Sequence, residues 1–433
     1  MSKVNVLIIG AGGREHALGW KLRESPRCGR LAFAPGNAGT ARLGDNLNLK
    51  TEPVTTKVAD DIAYYCRHHD VGLVVIGPED PLAQGLSDRL QKLGLKVFGP
   101  TQAATRLEAD KAYAKDVMRS VAVPTAESRT FRNPQAALEY VRHHETPLVV
   151  KAAGLAKGKG VTVCDGPRDA AEAVKRIMID RAFGDAGECV VIEERLTGQE
   201  VSVLALVDGR HVWPLEAAQD HKQAHEGDRG PNTGGMGAYS PTPLLTDKLM
   251  HEIERQVFVP MLDALRREEV EYRGVLFAGL MLTPGGPKVL EFNCRFGDPE
   301  CQTLLMRMKA DLLEVLLATC EGRLDQADIA WDPRPCCCVV LASPGYPDEY
   351  PKGRVITGID DAEATAPGLV RVFHAGTSLD KAGAAVTAGG RVLNVCAMGD
   401  DLREAQRRAN AAAERIHFDG VWFRRDIGFR VMK

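Results

Sequence analysis

The sequence predicts a protein of mixed α/β and α+β architecture, and three observations support this prediction. Short apolar runs alternate with helical segments through the first hundred residues, which is typical of a parallel sheet covered by helices. A glycine-rich loop at 152–160 separates two strand-like runs and predicts a hairpin. Strand-like runs followed by a helix at 402–416 predict an α+β region at the end of the chain.

The predicted elements divide the chain into three domains, a number that suits 433 residues. The N-terminal α/β domain covers residues 1–103, and a helix at 106–119 leads out of it. The middle domain covers residues 104–330 and includes a small lobe at about 124–193. The C-terminal α+β domain covers residues 331–433, because the charged, proline-rich stretch before it is typical of a linker.

The individual elements are expected where apolar runs or helical periodicity are followed by turn residues. The predicted strands are 4–9, 31–34, 73–76, 97–98, 147–151, 161–164, 189–194, 337–342, 370–374 and 391–397. The predicted helices that follow residue 119 are 168–182, 246–267, 311–320 and 402–416.

Composition and charge exclude several classes of function. A net charge of −3 and a pI near 6.4 exclude a general nucleic-acid-binding surface. The longest apolar stretch, 275–282, is far below the roughly 20 residues that span a bilayer, so no membrane partner is expected. Eleven cysteines without a Cys-x-x-Cys pair or a secretory signal predict free thiols and a cytoplasmic location. The cysteines at 336–338 are expected on a buried strand.

The stretch 291–300 is the strongest indication of chemistry. Strand alternation places Glu291, Asn293 and Arg295 on one face, where all three can meet one ligand. Oxygen donors suit Mg²⁺, which uses one or two protein carboxylates while phosphates and water fill its other positions. Glu291 and Asn293 are therefore the predicted ligands for Mg²⁺ or Mn²⁺. A strand that simply enters a polar turn is the alternative for this triplet.

The first glycine-rich loop, 10–13, follows a strand and precedes a helix, where backbone N–H groups can hold an anion. It matches a dinucleotide fingerprint only partly, since Glu15 replaces the third glycine and no acid follows the second strand. We therefore expect a ligand with a single phosphate near Gly13 and Arg14, with Glu79 at the same sheet edge. A plain turn is the alternative interpretation of the segment around Glu79.

The second glycine-rich loop combines glycines with lysines and predicts a cover for a polyphosphate. Lys151 precedes it, and Lys157, Gly158, Lys159 and Gly160 end it. Glycines let the main chain approach phosphate oxygens closely, and lysines add charge-assisted hydrogen bonds. The loop is not a Walker loop, because no Gly-Lys-Ser/Thr opens a helix after it. A solvated hairpin is the alternative.

Two later segments predict further contacts with a nucleotide and its co-substrate. The extended segment 190–196 would pass between the two lobes, where main-chain groups can pair with an adenine edge, and Glu200 could accept hydrogen bonds from a ribose. The residues around Asp220 and Lys222, with the loop 231–237, are too polar and charged to be only a connector.

Together these segments resemble the ATP-grasp ligases and, among them, the glycinamide ribonucleotide synthetase family, nearly from end to end. The resemblance implies an ATP-grasp domain between an N-terminal parallel α/β (pre-ATP-grasp) domain and a C-terminal α+β domain. It implies the ATP-dependent ligation of glycine to 5-phosphoribosylamine through glycyl phosphate, as a step of purine synthesis. The motifs that carry the resemblance are Ile9-Gly10-Ala11-Gly12-Gly13-Arg14-Glu15-His16-Ala17, Ala34-Pro35-Gly36-Asn37-Ala38-Gly39, Gly230-Pro231-Asn232-Thr233-Gly234-Gly235-Met236-Gly237-Ala238-Tyr239-Ser240-Pro241, Phe373-His374-Ala375-Gly376-Thr377, Asp426-Ile427-Gly428 and the stretch 291–300.

The resemblance also implies a role for each matching residue. The residues expected at ATP are Lys111, Lys151, Gly158, Lys159, Gly160, Glu193, Glu194, Leu196 and Glu200. The residues expected at the acceptor substrates are Gly13, Arg14, Glu79, Asp220, Lys222, Arg295 and Asp298. We expect Lys151, Arg295 and Asp298 to act in catalysis, and a monomer or weak homodimer as the assembly.

The chain departs from the family pattern at three places. Asp110 stands where many relatives have serine, Ala153 where many have aspartate, and the strand at 277–280 has no second acid for a metal. A nicotinamide oxidoreductase, a nucleotide-binding regulatory module and another ATP-grasp ligase are the alternative functions.

Overall fold

The computed structural model describes residues 2–156 and 158–432. The N-terminal region is a parallel sheet in the order β3-β2-β1-β4-β5, as the alternation of strands and helices predicts. Its strands are β1 Val4–Gly10, β2 Cys28–Pro35, β3 Asp45–Asn46, β4 Val71–Ile76 and β5 Val97–Phe98. Its helices are α1 Gly13–Arg23, α2 Thr56–His68, α3 Glu79–Ala83 and α4 Leu86–Lys92.

Two helices, rather than one, lead the chain out of this sheet. They are α5 Gln102–Ala109 and α6 Lys111–Ser120, so the single helix expected at 106–119 is wrong. The break lies at Asp110, whose extended backbone leaves the helix and whose carboxylate accepts a hydrogen bond from Tyr113 N at 3.1 Å. This is the capping role that serine also performs, so the departure at Asp110 preserves the helix start.

The small lobe is an antiparallel sheet in the order β6-β9-β7-β8 with helices on one side. Its elements are β6 Ser128–Phe131, α7 Pro134–Arg142, β7 Leu148–Ala152, β8 Val161–Cys164, α8 Pro167–Val174 and β9 Val190–Glu194. A π-helical turn, Lys175–Ile179, extends α8, and a 3₁₀ turn, Gly184–Gly187, precedes β9. The expected strand–loop–strand hairpin is present as β7 and β8.

The central sheet carries the stretch 291–300 at its edge. It is antiparallel, in the order β11-β10-β16-β17. The elements from residue 199 to 321 are β10 Gln199–Asp208, β11 Val212–Pro214, β12 Gln219–Asp220, β13 Gln223–His225, β14 Arg229–Asn232, β15 Gly237–Ser240, α9 Asp247–Ile253, α10 Val259–Arg267, β16 Arg273–Thr283, β17 Gly286–Asn293, α11 Glu300–Arg307 and α12 Leu312–Glu321. A π-helical turn, Glu254–Phe258, joins α9 to α10, so the long helix expected here is present.

The last sheet has the order β12-β15-β18-β22-β19 and therefore includes two strands from before residue 241. The C-terminal elements are β18 Cys336–Ala342, α13 Ile359–Ala364, β19 Val370–His374, β20 Thr377–Leu379, β21 Ala385–Thr387, β22 Arg391–Met398 and α14 Leu402–Ala413. The boundary expected near residue 330 stays a prediction. The loop 231–237 is thereby held between the central and C-terminal regions.

The cysteines behave as the sequence predicts. All eleven are free thiols, and those at 336–338 are buried on β18 among apolar side chains. Over residues 2–156 and 158–432, no helix has the length and apolar character needed to cross a membrane.

Candidate active site

The end of β17 carries the two predicted metal ligands. Glu291 lies opposite Gly279 and Asn293 opposite Phe277 on β16, so this neighbouring strand supplies no second acid. Asn293 Oδ1 accepts a hydrogen bond from Arg295 Nη2 at 3.1 Å. One carboxylate and one carboxamide are a donor set that fits Mg²⁺ when phosphates complete the coordination.

Lysines surround Glu291. Lys222 Nζ lies 4.0 Å from Glu291 Oε1, and Lys111 and Lys151 are close enough to act on it electrostatically. Although burial alone would raise the pKa of Glu291, these three charges hold it below its ordinary value. Glu291 is therefore an ionised carboxylate surrounded by positive charges. Such a site can bind a metal ion through the carboxylate and a polyphosphate through the lysines.

Lys151 is fixed on β7 by two contacts. Its Nζ donates to Leu290 O at 3.0 Å and forms an ion pair with Glu193 Oε2 at 2.9 Å. Glu193 is buried on β9 and also lies 3.2 Å from Nζ of Lys115, a residue that the sequence analysis missed. Lys151 and Glu193 thus meet beside Glu291, as the resemblance predicts.

The glycine-rich loop contacts several parts of the site. Lys111 N donates to Ala153 O at 2.8 Å, and Lys111 Nζ lies 3.4 Å from Gly154 O. A Cβ on Gly160 would lie 2.6 Å from Ala156 Cβ, so glycine is required for this close packing. Lys159 Nζ donates to Pro347 O at 3.0 Å, which ties the loop to the C-terminal region.

The end of this loop reaches the segment that contains the Asn232 motif. Gly158 has a φ of +75°, and a Cβ there would lie 3.8 Å from Thr233 O. The loop therefore lies over the polar segment 231–237. Lys157, which the sequence analysis places in the same cover, lies outside the described residues.

Of the residues expected around adenine and ribose, Glu194 and Glu200 form ion pairs within the protein and Leu196 does not. Glu194 accepts hydrogen bonds from Lys288 Nζ at 3.0 Å and Glu127 N at 3.1 Å, so its carboxylate is already used within the protein. Leu196 is half-buried in the irregular segment after β9. Glu200 Oε2 pairs with Lys222 Nζ at 2.9 Å and raises the pKa of that lysine, with Glu291 adding to the effect. Glu200 and Lys222 therefore act as one unit.

Arg295 is the centre of an ion-pair network. Its guanidinium lies 3.2 Å from Glu79 Oε2 and 3.0 Å from Oε1 of Glu108, which the sequence analysis missed. Glu108 Oε2 also accepts a hydrogen bond from Cys294 N at 2.6 Å. Burial would raise the pKa of Glu79, but Arg295 and Arg14 lower it to about 2. The network fixes the charge of Arg295 next to the end of β17.

The N-terminus of α1 meets the same region. Arg14 N donates to Asp298 Oδ2 at 3.3 Å, so a carboxylate of the protein already occupies this helix end. Arg14 Nε pairs with Glu15 Oε1 at 2.7 Å, and Gly12 N donates to Glu15 Oε2 at 2.5 Å. Glu15 thus caps α1, which explains why it stands where a dinucleotide fingerprint has glycine. Any phosphate bound here would share the helix end with Asp298.

Asp298 lies between α1, α11 and the C-terminal strand β22. Gln302 Nε2 donates to its Oδ1 at 3.0 Å, and Arg391 Nη1 lies 3.5 Å from the same atom. Although burial opposes it, Arg391 and Arg14 hold the pKa of Asp298 below its ordinary value. A Cβ on Gly13 would collide with the amide groups of Asn394 and Gln302, so the close approach requires glycine.

Asp220 has a carboxyl oxygen without a hydrogen-bond partner in the part of the chain that the structure describes. Its Oδ1 is buried and has no hydrogen-bond partner among residues 2–156 and 158–432. Burial raises its pKa well above the ordinary value, and the neighbouring charge of Glu300 adds to this. A Cβ on Gly235 would lie 2.8 Å from Asp220 Oδ1, which places Asp220 against the glycine-rich segment 231–237.

Several partners of the site residues were not predicted from the sequence. These are Lys115, Glu108, Glu300, Gln302, Arg391 and Asn394. Two of them have a local signal, since Glu300 closes the stretch 291–300 and Gln302 follows Asp298 by four residues at the start of α11. A cavity of about 330 Å³ near Trp20, Lys21 and Arg371 contains none of the predicted site residues.

Comparison with known families decides the classification. Models of phosphoribosylglycinamide synthetase match the chain in three parts: the N domain at residues 4–108, the ATP-grasp (A) domain at 109–301 and the C domain at 336–430. The chain belongs to the phosphoribosylglycinamide synthetase family. The ATP-grasp fold and the family expected from the sequence are both confirmed.

Individual relatives agree with this classification. A phosphoribosylamine–glycine ligase from Rhodopirellula baltica is 49% identical over 439 residues, which cover 100% of this chain and 99% of the relative. Another from a Nostoc species is 49% identical over 432 residues, which cover 99% of this chain and 100% of the relative. The crystal structure of phosphoribosylamine–glycine ligase from Thermotoga maritima superposes with a TM-score of 0.82 at 33% identity, covering 98% of this chain and 100% of that one.

Proposed function

We propose that this chain joins glycine to 5-phosphoribosylamine and consumes ATP, giving glycinamide ribonucleotide, ADP and phosphate. The end-to-end similarity to ligases of this name supports the proposal. The structural observation that carries it is the meeting of Glu291 and Asn293 with the lysines 111, 151 and 222 at the end of β17. Oxygen donors within a ring of cations suit a metal–triphosphate complex.

In this proposal Glu291 and Asn293 hold Mg²⁺ or Mn²⁺ together with the ATP phosphates. A divalent ion bound there would neutralise phosphate charge as it develops. Lys151 donates to a phosphate oxygen with the hydrogen that Leu290 O and Glu193 leave free, since an ammonium group has three donors. Lys111 lies under the loop that contains Gly158 and Gly160 and supplies a second phosphate contact.

The other nucleotide contacts lie where the small lobe meets the central sheet. The main chain of the segment after β9, with Leu196, borders adenine, while Glu193 and Glu194 brace this segment through Lys151 and Lys288. Glu200 accepts from the ribose and is oriented by Lys222. Lys159 holds the cover over the phosphates through its hydrogen bond to Pro347 O.

The acceptor substrates bind on the other side of Glu291. A fixed cation at Arg295 binds the glycine carboxylate, and Glu79 and Glu108 prevent it from moving. Asp298 and Asp220 face the amine groups, with Gly13 and Arg14 beside the ribosyl phosphate. Because Asp298 is held ionised, it orients an amine as an acceptor of its hydrogen bonds.

The reaction needs an activated carboxylate, because carboxylate oxygen is a poor leaving group. A glycine oxygen attacks the γ-phosphorus of ATP, the bond from this phosphorus to the ADP oxygen breaks, and glycyl phosphate forms. The ribosylamine nitrogen then attacks the acyl carbon, and phosphate leaves as the nitrogen gives up a proton. Lys151 and Arg295 stabilise the negative charge in both steps, while the closed loop excludes water that would hydrolyse the acyl phosphate.

Isotope transfer tests this order of bonds. Glycine labelled with ¹⁸O in its carboxylate is incubated with ATP, 5-phosphoribosylamine and Mg²⁺, and the released phosphate is analysed by mass spectrometry. One labelled oxygen per turnover is expected in phosphate. Retention of all label in the product would refute the acyl phosphate, and ADP release without glycine dependence would refute the assigned reaction.

We further propose that the enzyme is cytoplasmic and is a monomer or weak homodimer. Sedimentation over a range of protein concentrations measures the oligomeric state, and a tight higher oligomer would contradict that part of the proposal.

A further inference from the structure

Lys115 on α6 is a buried lysine whose ammonium group lies against three groups of the protein. Its Nζ donates to Thr125 Oγ1 at 2.7 Å and to Ala126 O at 3.4 Å, and lies 3.2 Å from Glu193 Oε1. Lys115 is only 3% exposed, and its contact with Glu193 is an ion pair, since Glu193 Oε1 has no hydrogen-bond partner among residues 2–156 and 158–432. Lys115 can therefore affect a bound nucleotide only through one of these neighbours.

The neighbour that reaches the nucleotide site is Glu193. Its other oxygen, Oε2, lies 2.9 Å from Lys151 Nζ, so one carboxylate is shared by two lysines. Lys151 has a second contact with Leu290 O, next to Glu291, and these two contacts leave one of its donors for a phosphate. Lys115 is thus connected to the phosphate-binding lysine, Lys151, by two ion pairs that share Glu193.

The charges of this group do not balance. Lys115, Lys151 and Glu193 are 3%, 5% and 2% exposed, so two cations and one anion are buried together. Burial lowers the pKa of Lys115 to about 8, and the attraction of Glu193 offsets only part of this. Glu291, on which Lys151 also acts, is 32% exposed and offsets only part of this charge, and an anionic ligand would compensate the rest.

We propose that Lys115 is a positioning residue for the nucleotide phosphates: by pairing with Glu193, it keeps Lys151 available to them. Without Lys115, the whole charge of Glu193 falls on Lys151, and the phosphates must compete with a buried carboxylate for this lysine. The inference rests on the assignment of Lys151 to ATP in the proposed function.

A purely structural role for Lys115 would depend on different contacts. Thr125 Oγ1, which accepts from Lys115, donates to Val289 O at 2.6 Å and so links the start of the small lobe to β17. If Lys115 only supported this link, its removal would have the same effect whether or not residue 193 carried a charge. The two roles therefore differ in their dependence on Glu193.

A double-mutant cycle distinguishes the positioning role of Lys115 from a purely structural role. The dissociation constant of ADP with Mg²⁺ is measured by calorimetry for wild type, Lys115→Met, Glu193→Gln and the double variant. Lys115→Met should weaken ADP binding about 10-fold or more, as expected for a charged hydrogen bond. In the Glu193→Gln background the same change should alter binding by less than about 2-fold, because no carboxylate then competes for Lys151.

Adenosine and a neighbouring residue provide the controls. Adenosine has no phosphates, so its binding should be the same in wild type and Lys115→Met. Arg119→Met removes an exposed cation one turn along α6 and should leave ADP binding unchanged. Unchanged ADP binding in Lys115→Met, an equal loss in both backgrounds, or an equal loss for adenosine would each overturn the proposal.

Folding is checked by circular dichroism. If Lys115→Met does not fold, Lys115→Gln, which keeps a donor for Thr125 but no charge, replaces it in the same cycle with the same expected outcomes. The cycle contains neither glycine nor ribosylamine. Failure of ligation in wild type would therefore refute the proposed reaction, while the ADP cycle would still decide the role of Lys115.

Discussion

Two groups of cations meet at the end of β17, and they are held in different ways. The arginine group consists of Arg14, Arg295 and Arg391, and each of these is paired with at least one carboxylate at 3.5 Å or less. The lysine group consists of Lys111, Lys151 and Lys222. Arginine has a planar fork that fixes geometry, whereas lysine is a compact charge on a flexible stem.

The lysine group is less completely neutralised. Lys222 pairs with Glu200, and Lys151 shares Glu193 with Lys115. Within the described part of the chain, Lys111 Nζ has only a long hydrogen bond, 3.4 Å, to the carbonyl oxygen of Gly154, and burial lowers the pKa of this lysine. The difference teaches that the arginine group, on the side of the acceptor substrates, is preorganised by the protein's own carboxylates. The lysine group, on the side of the ATP phosphates, still requires an anion. Changes in the arginine group should therefore affect folding, and changes around the lysine group should affect binding and turnover.

The largest effect is expected for Arg295→Met. It leaves the buried carboxylate of Glu108 and the partly buried one of Glu79 without this cation, so the free energy of unfolding should fall by about 3–5 kcal/mol. Urea unfolding measures this free energy. Arg295→Lys keeps the charge but not the planar guanidinium, so its stability should lie between those of wild type and Arg295→Met. A loss below about 1 kcal/mol would mean that the arginine group is not preorganised by these pairs.

The next effect is expected for Glu291→Gln, which removes the carboxylate of the metal site. Turnover should fall at least about 100-fold, because charge on the transferred phosphoryl group loses its main compensation. Urea unfolding should show a smaller loss of stability than for Arg295→Met, because Glu291 is 32% exposed and Lys222 keeps its pair with Glu200. Glu139→Gln on the exposed face of α7 is the matched control. Normal turnover of Glu291→Gln at saturating Mg²⁺ would show that Glu291 is not the metal ligand.

The smallest effect is expected for Glu79→Gln, and it should depend on pH. The folded pKa of Glu79 is about 2, below its ordinary 4.5, so the folded state favours the charged form. This stabilisation is complete above the unfolded pKa and is lost as pH falls towards 2. The stability difference between wild type and Glu79→Gln should thus be greatest near pH 6 and shrink below pH 4.5. A difference independent of pH would contradict the ion pair with Arg295.

Local patterns were sufficient for much of the fold and for the centre of the site. Strand alternation brought Glu291 and Asn293 to one face, and glycine spacing predicted the hairpin of β7 and β8. The pattern at 106–119 was misleading, because Asp110 can continue a helical periodicity or cap a new helix, and only the geometry distinguishes the two. The helix break is set by the contact of Lys111 N with Ala153 O from another element.

The partners of the predicted residues could not be found in the same way. Arg391 reaches Asp298 from β22, and Glu108 reaches Arg295 from α5, across 93 and 187 positions of the chain. Neither has a motif of its own, since an isolated charged residue on a strand or helix is usually a solvated one. Their burial is what makes them part of the site, and burial depends on how the sheets pack.

The sequence by itself determined which residue types are available: oxygen donors on one strand, glycines that let the backbone approach a ligand, and lysines near them. These follow from local periodicity and backbone freedom, which act over a few residues. Only the tertiary structure decided which charges face each other, because Coulomb interactions depend on distance and burial rather than on position in the chain. The joining of β12 and β15 to the C-terminal sheet, which brings Asp220 beside Gly235, is decided at that level.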